Sequence, residues 1–118
     1  MIPDGEQNAA RDLDVGHVAA VRDVPPGTLR AVTLASGARV CLANLDGEIL
    51  AVRNECSHQA FPLSDGTLLP GGILECAWHG ARFDCRTGAV VGPPAEEPIA
   101  RYLTTVRDEL IYVHEEIA

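Results

Sequence analysis

Two short segments of the chain each carry one cysteine and one histidine, and no other feature of the sequence constrains its fold as strongly. The first clip is Cys56-Ser57-His58, and the second clip is Cys76-Ala77-Trp78-His79. Together they hold two of the four cysteines and two of the four histidines. Because thiolates and imidazoles are strong metal ligands, the pattern predicts that the fold brings both clips to one metal centre.

The way in which the ligands are mixed distinguishes two kinds of metal centre. Structural zinc sites usually take like ligands from one turn, whereas each clip here combines a cysteine with a histidine. A two-iron, two-sulfur centre uses this mixture if Cys56 and Cys76 bind one iron while His58 and His79 bind the other. Replacing two thiolates by neutral imidazoles also raises the reduction potential. The residues favour [2Fe–2S], and a zinc-stabilised interaction module is the structural alternative.

The clips and their flanking residues resemble the signature of Rieske iron–sulfur proteins. The similarity continues through residues 62–66 after the first clip and residues 83–88 after the second, and residues 92–95 resemble the proline loop that covers the cluster in this family. The resemblance implies an all-β Rieske fold of stacked antiparallel sheets, with a small cluster-binding subdomain built from two loops at approximately residues 54–94. It also implies a Rieske-type [2Fe–2S] cluster, one per chain, whose ligands are Cys56, His58, Cys76 and His79.

Rieske proteins of the respiratory and photosynthetic complexes carry an extra cysteine in each cluster loop, and the two form a disulfide. The resemblance places Phe61 and Trp78 at the matching positions, so we expect packing to hold these loops. We hypothesise that both aromatic side chains exclude water and that the potential lies in the lower part of the Rieske range. The alternative is that both are ordinary core residues. Gly66 and Gly80 are expected to allow tight backbone conformations, and Pro93 is a further candidate beside the cluster.

Length and charge indicate a small acidic carrier. The 118 residues support one domain, which we divide into a flexible N-terminal segment at 1–14 and a Rieske domain at 15–118. Seventeen acidic and nine basic residues give a net charge of −8, which repels nucleic acid and anionic membranes. Residues 1–15 lack the pattern of a secretory signal, and no apolar run is long enough to span a bilayer. A cytoplasmic location is therefore expected.

Turn signals divide the chain into short strands. Asp46-Gly47 is a strong hairpin signal between strands predicted at 39–45 and 48–53. A strand at 73–75 is expected to lead directly into Cys76. A short helix is considered at 9–13. Other strands are predicted at 17–22, 29–34, 82–83, 89–90, 99–107 and 110–114.

The chain carries no dinucleotide fingerprint and no iron-binding triad beyond the four ligands, so we expect an electron-transfer protein rather than an enzyme. By resemblance, the leading function is the ferredoxin component of a bacterial ring-hydroxylating dioxygenase system, with a flavin-dependent ferredoxin reductase and a terminal oxygenase as partners. No nucleic acid, membrane or small-molecule substrate is expected. The small Rieske-like subunit of an assimilatory nitrite reductase is the alternative. Cys41 is expected to be a buried free thiol, and the role of Cys85 is open.

Overall fold

Antiparallel β-strands provide most of the regular structure in the computed structural model of this chain, which describes residues 16–57 and 61–117. This confirms the predicted all-β fold. The N-terminal segment at 1–14 and the helix considered at 9–13 lie outside the described residues. The described strands are β1 (Ala19–Ala20), β2 (Leu29–Thr33), β3 (Arg39–Leu45), β4 (Glu48–Arg53), β5 (Thr67–Leu69), β6 (Ile73–Glu75), β7 (Arg82–Asp84), β8 (Val90–Gly92), β9 (Arg101–Arg107) and β10 (Leu110–Ile117).

The strands form two sheets. Six of them, in the order β1-β10-β9-β4-β3-β2, make the base sheet, and four, in the order β5-β6-β7-β8, make the site sheet. The site sheet lies between β4 and β9 in the sequence, although β4 and β9 pair with each other in the base sheet. The chain therefore leaves the base sheet at Arg53, builds the site sheet, and returns to the base sheet at Arg101.

The central hairpin of the base sheet has the turn that its sequence predicts. Asp46 and Gly47 both have positive φ angles, 54° and 99°, as a type I′ turn requires. The Gly47 N–H donates to Asn44 Oδ1 at 2.7 Å, and Asn44 Nδ2 donates to the carbonyl oxygen of Val24 at 2.6 Å. The buried Asn44 amide is thereby paired on both sides, and the bounds of β3 and β4 are those predicted.

β3 is buried on both faces because an apolar core lies on each side of it. Cys41 and Ala43 belong to one core, which we call the site core, whereas Val40 and Leu42 belong to the other, the base core. Side chains alternate across a strand, so the nearly continuous apolar run of β3 follows from this double burial. The site core consists of Cys41, Ala43, Val52, Cys56, Leu63, Leu74, Cys76, Ala81, Phe83, Cys85, Ala95 and Ile99.

Polar contacts also connect the site sheet to the base sheet. Arg86, in the turn between β7 and β8, forms an ion pair with Glu48 of β4 at 2.7 Å. Arg101 of β9 donates to the Arg86 carbonyl oxygen at 2.8 Å. Both partners of the ion pair are about half exposed, so these contacts orient the two sheets more than they stabilise them.

The prediction of a strand at 17–22 is correct for its two middle residues and wrong at both ends. Only Ala19–Ala20 pair with β10, and Val21–Asp23 form a 3₁₀ turn. The Asp23 carboxylate accepts a hydrogen bond from the Ala20 N–H at 3.0 Å, which favours a turn over continued strand pairing.

The strand predicted at 99–107 begins two residues later than expected, at Arg101. The Ile99 N–H donates to the carbonyl oxygen of Gly88 at 2.8 Å, so its backbone is bound to the turn after β7 rather than to β4. β5 and the 3₁₀ turn Leu63–Asp65 were not predicted. Among the residues described, no helix has the length and apolar character needed to cross a bilayer.

Candidate metal centre

The second clip is the loop of a β-hairpin in the site sheet. Cys76 directly follows β6, and β7 begins at Arg82, which is paired with Glu75 at the end of β6. The Cys76 N–H donates to the carbonyl oxygen of Ala81 at 2.8 Å, and Arg82 Nε donates to the Glu75 carboxylate at 3.0 Å. The strand ladder thus closes this loop at its first predicted ligand.

The first clip lies in a crossover between the two sheets. The chain leaves β4 at Arg53 and enters β5 at Thr67, and these strands belong to different sheets. Within the crossover, the Cys56 N–H donates to the carbonyl oxygen of Phe61 at 2.9 Å. His58 lies outside the described residues, so its role as a ligand stays a prediction.

The two loops bring Cys56 and Cys76 together in the site core, close enough for Cys56 to affect the pKa of Cys76. Each cysteine is only 3% exposed, and both belong to the site core. Burial is the main cause that raises the pKa of Cys76; a hydrogen bond from the Trp78 backbone N–H lowers it, and the adjacent Cys56 raises it again. A metal cation at this position would lower the pKa of Cys76, because it stabilises the thiolate form directly.

The candidate ligands that the structure describes fit a metal centre whose cysteine sulfurs are buried and whose imidazole lies at the protein surface. Cys56 and Cys76 supply a buried sulfur pair, and His79, in the same clip as Cys76, is exposed. Within residues 16–57 and 61–117, no group of three or more His, Cys, Asp or Glu side chains is close enough to hold a metal ion. The described residues therefore bring together the two predicted thiol ligands and leave His79 at the surface.

An aromatic contact joins the two clips. The rings of Phe61 and Trp78 stack with centroids 4.8 Å apart and an interplanar angle of 23°, and the Phe61 centroid is 6.2 Å from that of His79. Trp78 is 54% exposed, so its interpretation as an ordinary core residue is wrong. Phe61 is half-buried against the site core. Stacking thus connects the loops at the positions where the resemblance placed the disulfide cysteines.

The segment after β8 contacts both the site core and the first clip. Ala95 is 4% exposed and belongs to the site core together with the two thiols, whereas Pro93 is exposed and is joined to Pro94 by a cis peptide bond. Ser57 Oγ donates to the carbonyl oxygen of Glu97 at 2.5 Å. This hydrogen bond attaches the first clip to the segment that follows the predicted proline loop.

The two glycines singled out from the sequence are required for different reasons. Gly80 has a φ of 73°, and a Cβ there would have no neighbour within 4 Å, so its backbone conformation is what favours glycine. Gly66 has a φ of −89°, outside the left-handed region, so its φ angle is not what requires glycine. A Cβ on Gly66 would instead lie 2.0 Å from the carbonyl oxygen of Glu75. Close approach to the β6 backbone therefore excludes any side chain.

Cys41 and Cys85 are free thiols in the interior of the site core. Burial raises the pKa of Cys41 to about 12, with a smaller contribution from the nearby Cys85. The pKa of Cys85 is also raised, chiefly by burial and then by Asp84. Cys41 is thus the buried free thiol predicted from the sequence.

Two polar residues beside the first clip were missed by the sequence reasoning. Asn54 is 6% exposed, its Oδ1 accepts a hydrogen bond from the Ser64 N–H at 2.8 Å, and its Nδ2 donates to Ser64 Oγ at 2.9 Å. A single asparagine after a strand forms no motif with a serine ten residues later. Only the folded structure reveals that they are paired.

Comparisons with known proteins identify the family. The family described as the Rieske [2Fe-2S] domain matches residues 14–103. The chain is 37% identical over 94 residues to the biphenyl dioxygenase ferredoxin subunit of Pseudomonas sp. strain KKS102, covering 78% of this chain and 85% of that protein. It is 36% identical over 100 residues to the ferredoxin component of the p-cumate 2,3-dioxygenase system of Pseudomonas putida, covering 85% of each.

Solved structures have the same fold. The ferredoxin of carbazole 1,9a-dioxygenase from Nocardioides aromaticivorans IC177 matches with a TM-score of 0.81 at 30% identity, over 85% of this chain and 96% of that chain. A chain from the complex of reduced oxygenase and oxidized ferredoxin in carbazole 1,9a-dioxygenase matches with a TM-score of 0.79 at 30% identity, over 86% and 94%. The chain therefore belongs to the Rieske [2Fe–2S] domain family, and its cofactor is a Rieske-type [2Fe–2S] cluster.

Proposed function

We propose that this protein is a one-electron carrier, with Cys56 and Cys76 bound to one iron of the cluster and His58 and His79 bound to the other. The observation that carries the assignment is the buried contact between the two thiols, which reach each other from loops of different construction. When bound, the cluster supplies a reversible one-electron redox centre. We assign the cluster-binding unit to residues 54–94, because both clips and the site sheet lie within it.

The residues of this chain divide the work of an electron carrier between them. The site core surrounds the sulfurs of Cys56 and Cys76 with apolar side chains and excludes water from them. His79 is exposed in the second clip, and we propose that its imidazole edge provides the route by which an electron reaches a partner. The strands below both clips provide a rigid support, which limits rearrangement when the charge of the site changes.

The proposed partners are a flavin-dependent ferredoxin reductase as electron donor and the terminal oxygenase of a ring-hydroxylating dioxygenase system as electron acceptor. The ferredoxin relatives and the solved complex of a ferredoxin with an oxygenase support this assignment. Trp78 and Val91 are 54% and 52% exposed in the site sheet region, and they offer apolar contact area to a partner. Glu96 and Glu97 are exposed nearby in the sequence and favour a basic partner surface.

The relatives described above favour neither of the two alternatives considered from the sequence. A nitrite reductase subunit would share the fold, and a zinc module would share the ligands, but the named relatives are ferredoxin components of dioxygenase systems. We also propose that the protein has no enzymatic activity of its own and works in the cytoplasm. The free state of its four cysteines agrees with a reducing compartment.

The test begins with anaerobically purified protein. Visible absorption, iron and acid-labile sulfide analysis, and electron paramagnetic resonance of the reduced protein are expected to give two irons and two sulfides per chain. A colourless protein that contains zinc would refute the cluster assignment.

The second step tests the carrier role. Mixing the protein with a ferredoxin reductase and NADH is expected to bleach the cluster, and adding a substrate-loaded terminal oxygenase is expected to restore the colour. Reduction rates that do not change with ionic strength would contradict a charged docking surface. A holoprotein that exchanges electrons only within a permanent nitrite reductase complex would contradict the ferredoxin assignment.

A further inference from the structure

We infer that Asn54 is a positioning residue for the first clip, and that its side chain performs the closure that a strand ladder performs for the second clip. The inference rests on the ligand assignment proposed above. Asn54 lies one residue after the end of β4 and two residues before Cys56, while Ser64 lies beyond the clip. Their paired hydrogen bonds therefore enclose the whole first clip in one loop.

The geometry of this pair fixes the orientation of the amide. The Ser64 backbone N–H can only donate, so the group that faces it at 2.8 Å must be Oδ1 of Asn54. Nδ2 then faces Ser64 Oγ at 2.9 Å, and the hydroxyl accepts. The side chain thus presents one acceptor and one donor to a single residue, as a backbone amide pair does in an antiparallel ladder.

Both ends of this closure are attached to buried structure. The Asn54 N–H donates to the carbonyl oxygen of Arg39 at 3.0 Å, which fixes Asn54 to the first residue of β3. Ser64 lies in the 3₁₀ turn Leu63–Asp65, and Leu63 is fully buried in the site core. The paired side chain therefore connects the base sheet to the site core across the entrance of the loop that carries Cys56.

A buried amide is suited to this task because its loss leaves unpaired groups. Removing the Asn54 side chain leaves the Ser64 N–H and Oγ without their partners in a partly buried position, and such groups are costly. Opening of the loop lets water satisfy them. It also exposes Cys56, which is otherwise buried, and speeds the release of the cluster.

The chain offers a matched control in Asn44. It is the second buried asparagine among the described residues, at 2% exposure, and it also makes two side-chain hydrogen bonds to backbone groups. One of those bonds holds the β3–β4 turn, the other attaches β3 to Val24, and neither involves a clip. Asn44→Ala therefore destabilises the fold by a similar mechanism without touching the loop that carries Cys56.

The experiment compares wild type, Asn54→Ala, Ser64→Ala and Asn44→Ala as holoproteins. It measures the rate of cluster release in excess iron chelator, the line widths in the electron paramagnetic resonance spectrum, and the free energy of unfolding in urea. We expect Asn54→Ala to release the cluster about tenfold faster than Asn44→Ala, with broadened lines. Ser64→Ala, which keeps the backbone hydrogen bond, is expected to be about threefold faster.

Equal release rates and line widths for Asn54→Ala and Asn44→Ala, at matched losses of stability, would overturn the inference. If Asn54→Ala does not fold, a release rate for Ser64→Ala equal to that of Asn44→Ala overturns it in the same way. These outcomes differ from a failure of the proposed function. In that case the wild-type protein itself would lack iron and sulfide.

Discussion

The two clips contain the same pair of residue types, one cysteine and one histidine, but are held by different kinds of structure. The second clip is a hairpin loop whose strands, β6 and β7, continue to pair up to Cys76. The first clip lies between β4 in the base sheet and β5 in the site sheet, two strands that do not pair with each other. Its closure depends on the hydrogen bond from the Cys56 N–H to the Phe61 carbonyl oxygen. It also depends on the hydrogen bonds between the Asn54 side chain and Ser64.

This difference means that two clips of the same composition need not be equally robust. Backbone pairing is insensitive to most side-chain changes, because every residue carries the same amide. The part of the first clip's closure that is made by side chains depends on the identity of Asn54 and Ser64. Substitutions around the first clip should therefore reveal more about cluster retention than substitutions around the second.

Loss of a cysteine sulfur is expected to have the largest effect on cluster binding. The effect should be the same for both clips. Cys56→Ser and Cys76→Ser should each lower the iron content of the purified protein by at least about tenfold, since a metal site loses that much affinity even when only its supporting partners are changed. Cys41→Ala, which removes a buried thiol outside the clips, is the control and should retain iron. Retention of the cluster by either serine variant would contradict the ligand assignment.

Two glycine substitutions are expected to have the next largest effects, and they test the difference between the two clips. Gly66→Ala places a Cβ 2.0 Å from the Glu75 carbonyl oxygen and should destabilise the holoprotein by about 3 kcal/mol, the upper end for overpacking. Gly80→Ala meets no atom within 4 Å and keeps only the strain of a φ of 73°, about 1 kcal/mol. Urea unfolding followed by absorption measures both values. A larger loss for Gly80→Ala would show that the second clip is the more sensitive one.

The stack of Phe61 on Trp78 should couple the two clips by about 1 kcal/mol. A double-mutant cycle of Phe61→Ala and Trp78→Ala, measured by urea unfolding, gives this coupling energy directly. The control cycle combines Phe61→Ala with Leu103→Ala, because Leu103 is 44% exposed but lies on β9 of the base sheet. That control pair should be additive. Additivity of the aromatic pair would mean that the stack does not connect the loops.

The smallest effect is expected from the ion pairs beside the clips. Arg82 pairs with Glu75 at 2.9 Å next to the second clip, and Arg53 pairs with Glu55 next to the first. Both arginine side chains are more than half exposed, so Arg82→Ala and Arg53→Ala should each cost about 0.5 kcal/mol in low salt and less in high salt. A cost above about 2 kcal/mol for Arg82→Ala would mean that the ladder alone does not close the hairpin.

The sequence allowed accurate prediction wherever local chemistry decides the structure. Asp46-Gly47 specified its hairpin, and β3, β4 and β6 have the bounds predicted from the pattern. The two cysteines predicted as ligands were also expected to lie together, as they do, because each belongs to a distinctive clip. The hairpin and the composition of each clip depend on residues that are close together in the chain.

Features that depend on distant residues were not predicted. Pairing of Asn54 with Ser64, and of Ser57 with the Glu97 carbonyl oxygen forty residues later, follows from the way the crossover folds between two sheets. Exposure of Trp78 was equally hidden, since an aromatic residue beside ligands is compatible with either a buried or an exposed position. Gly66 was singled out from the sequence. The reason that the position requires glycine is the nearby backbone of Glu75, a tertiary contact that the sequence does not reveal.

The shared location of both thiols in the site core has a consequence for biosynthesis. Cys56 and Cys76 are buried together with Val52 of β4 and Ala43 of β3, so packing of the two sheets closes access to the sulfurs. Under the ligand assignment proposed above, iron and sulfide have to reach these sulfurs before that packing is complete, or the crossover has to open again to admit them. Protein that folds without the cofactor would have to take it up through the loop of the first clip. That loop is the easier of the two to open, because side chains form part of its closure.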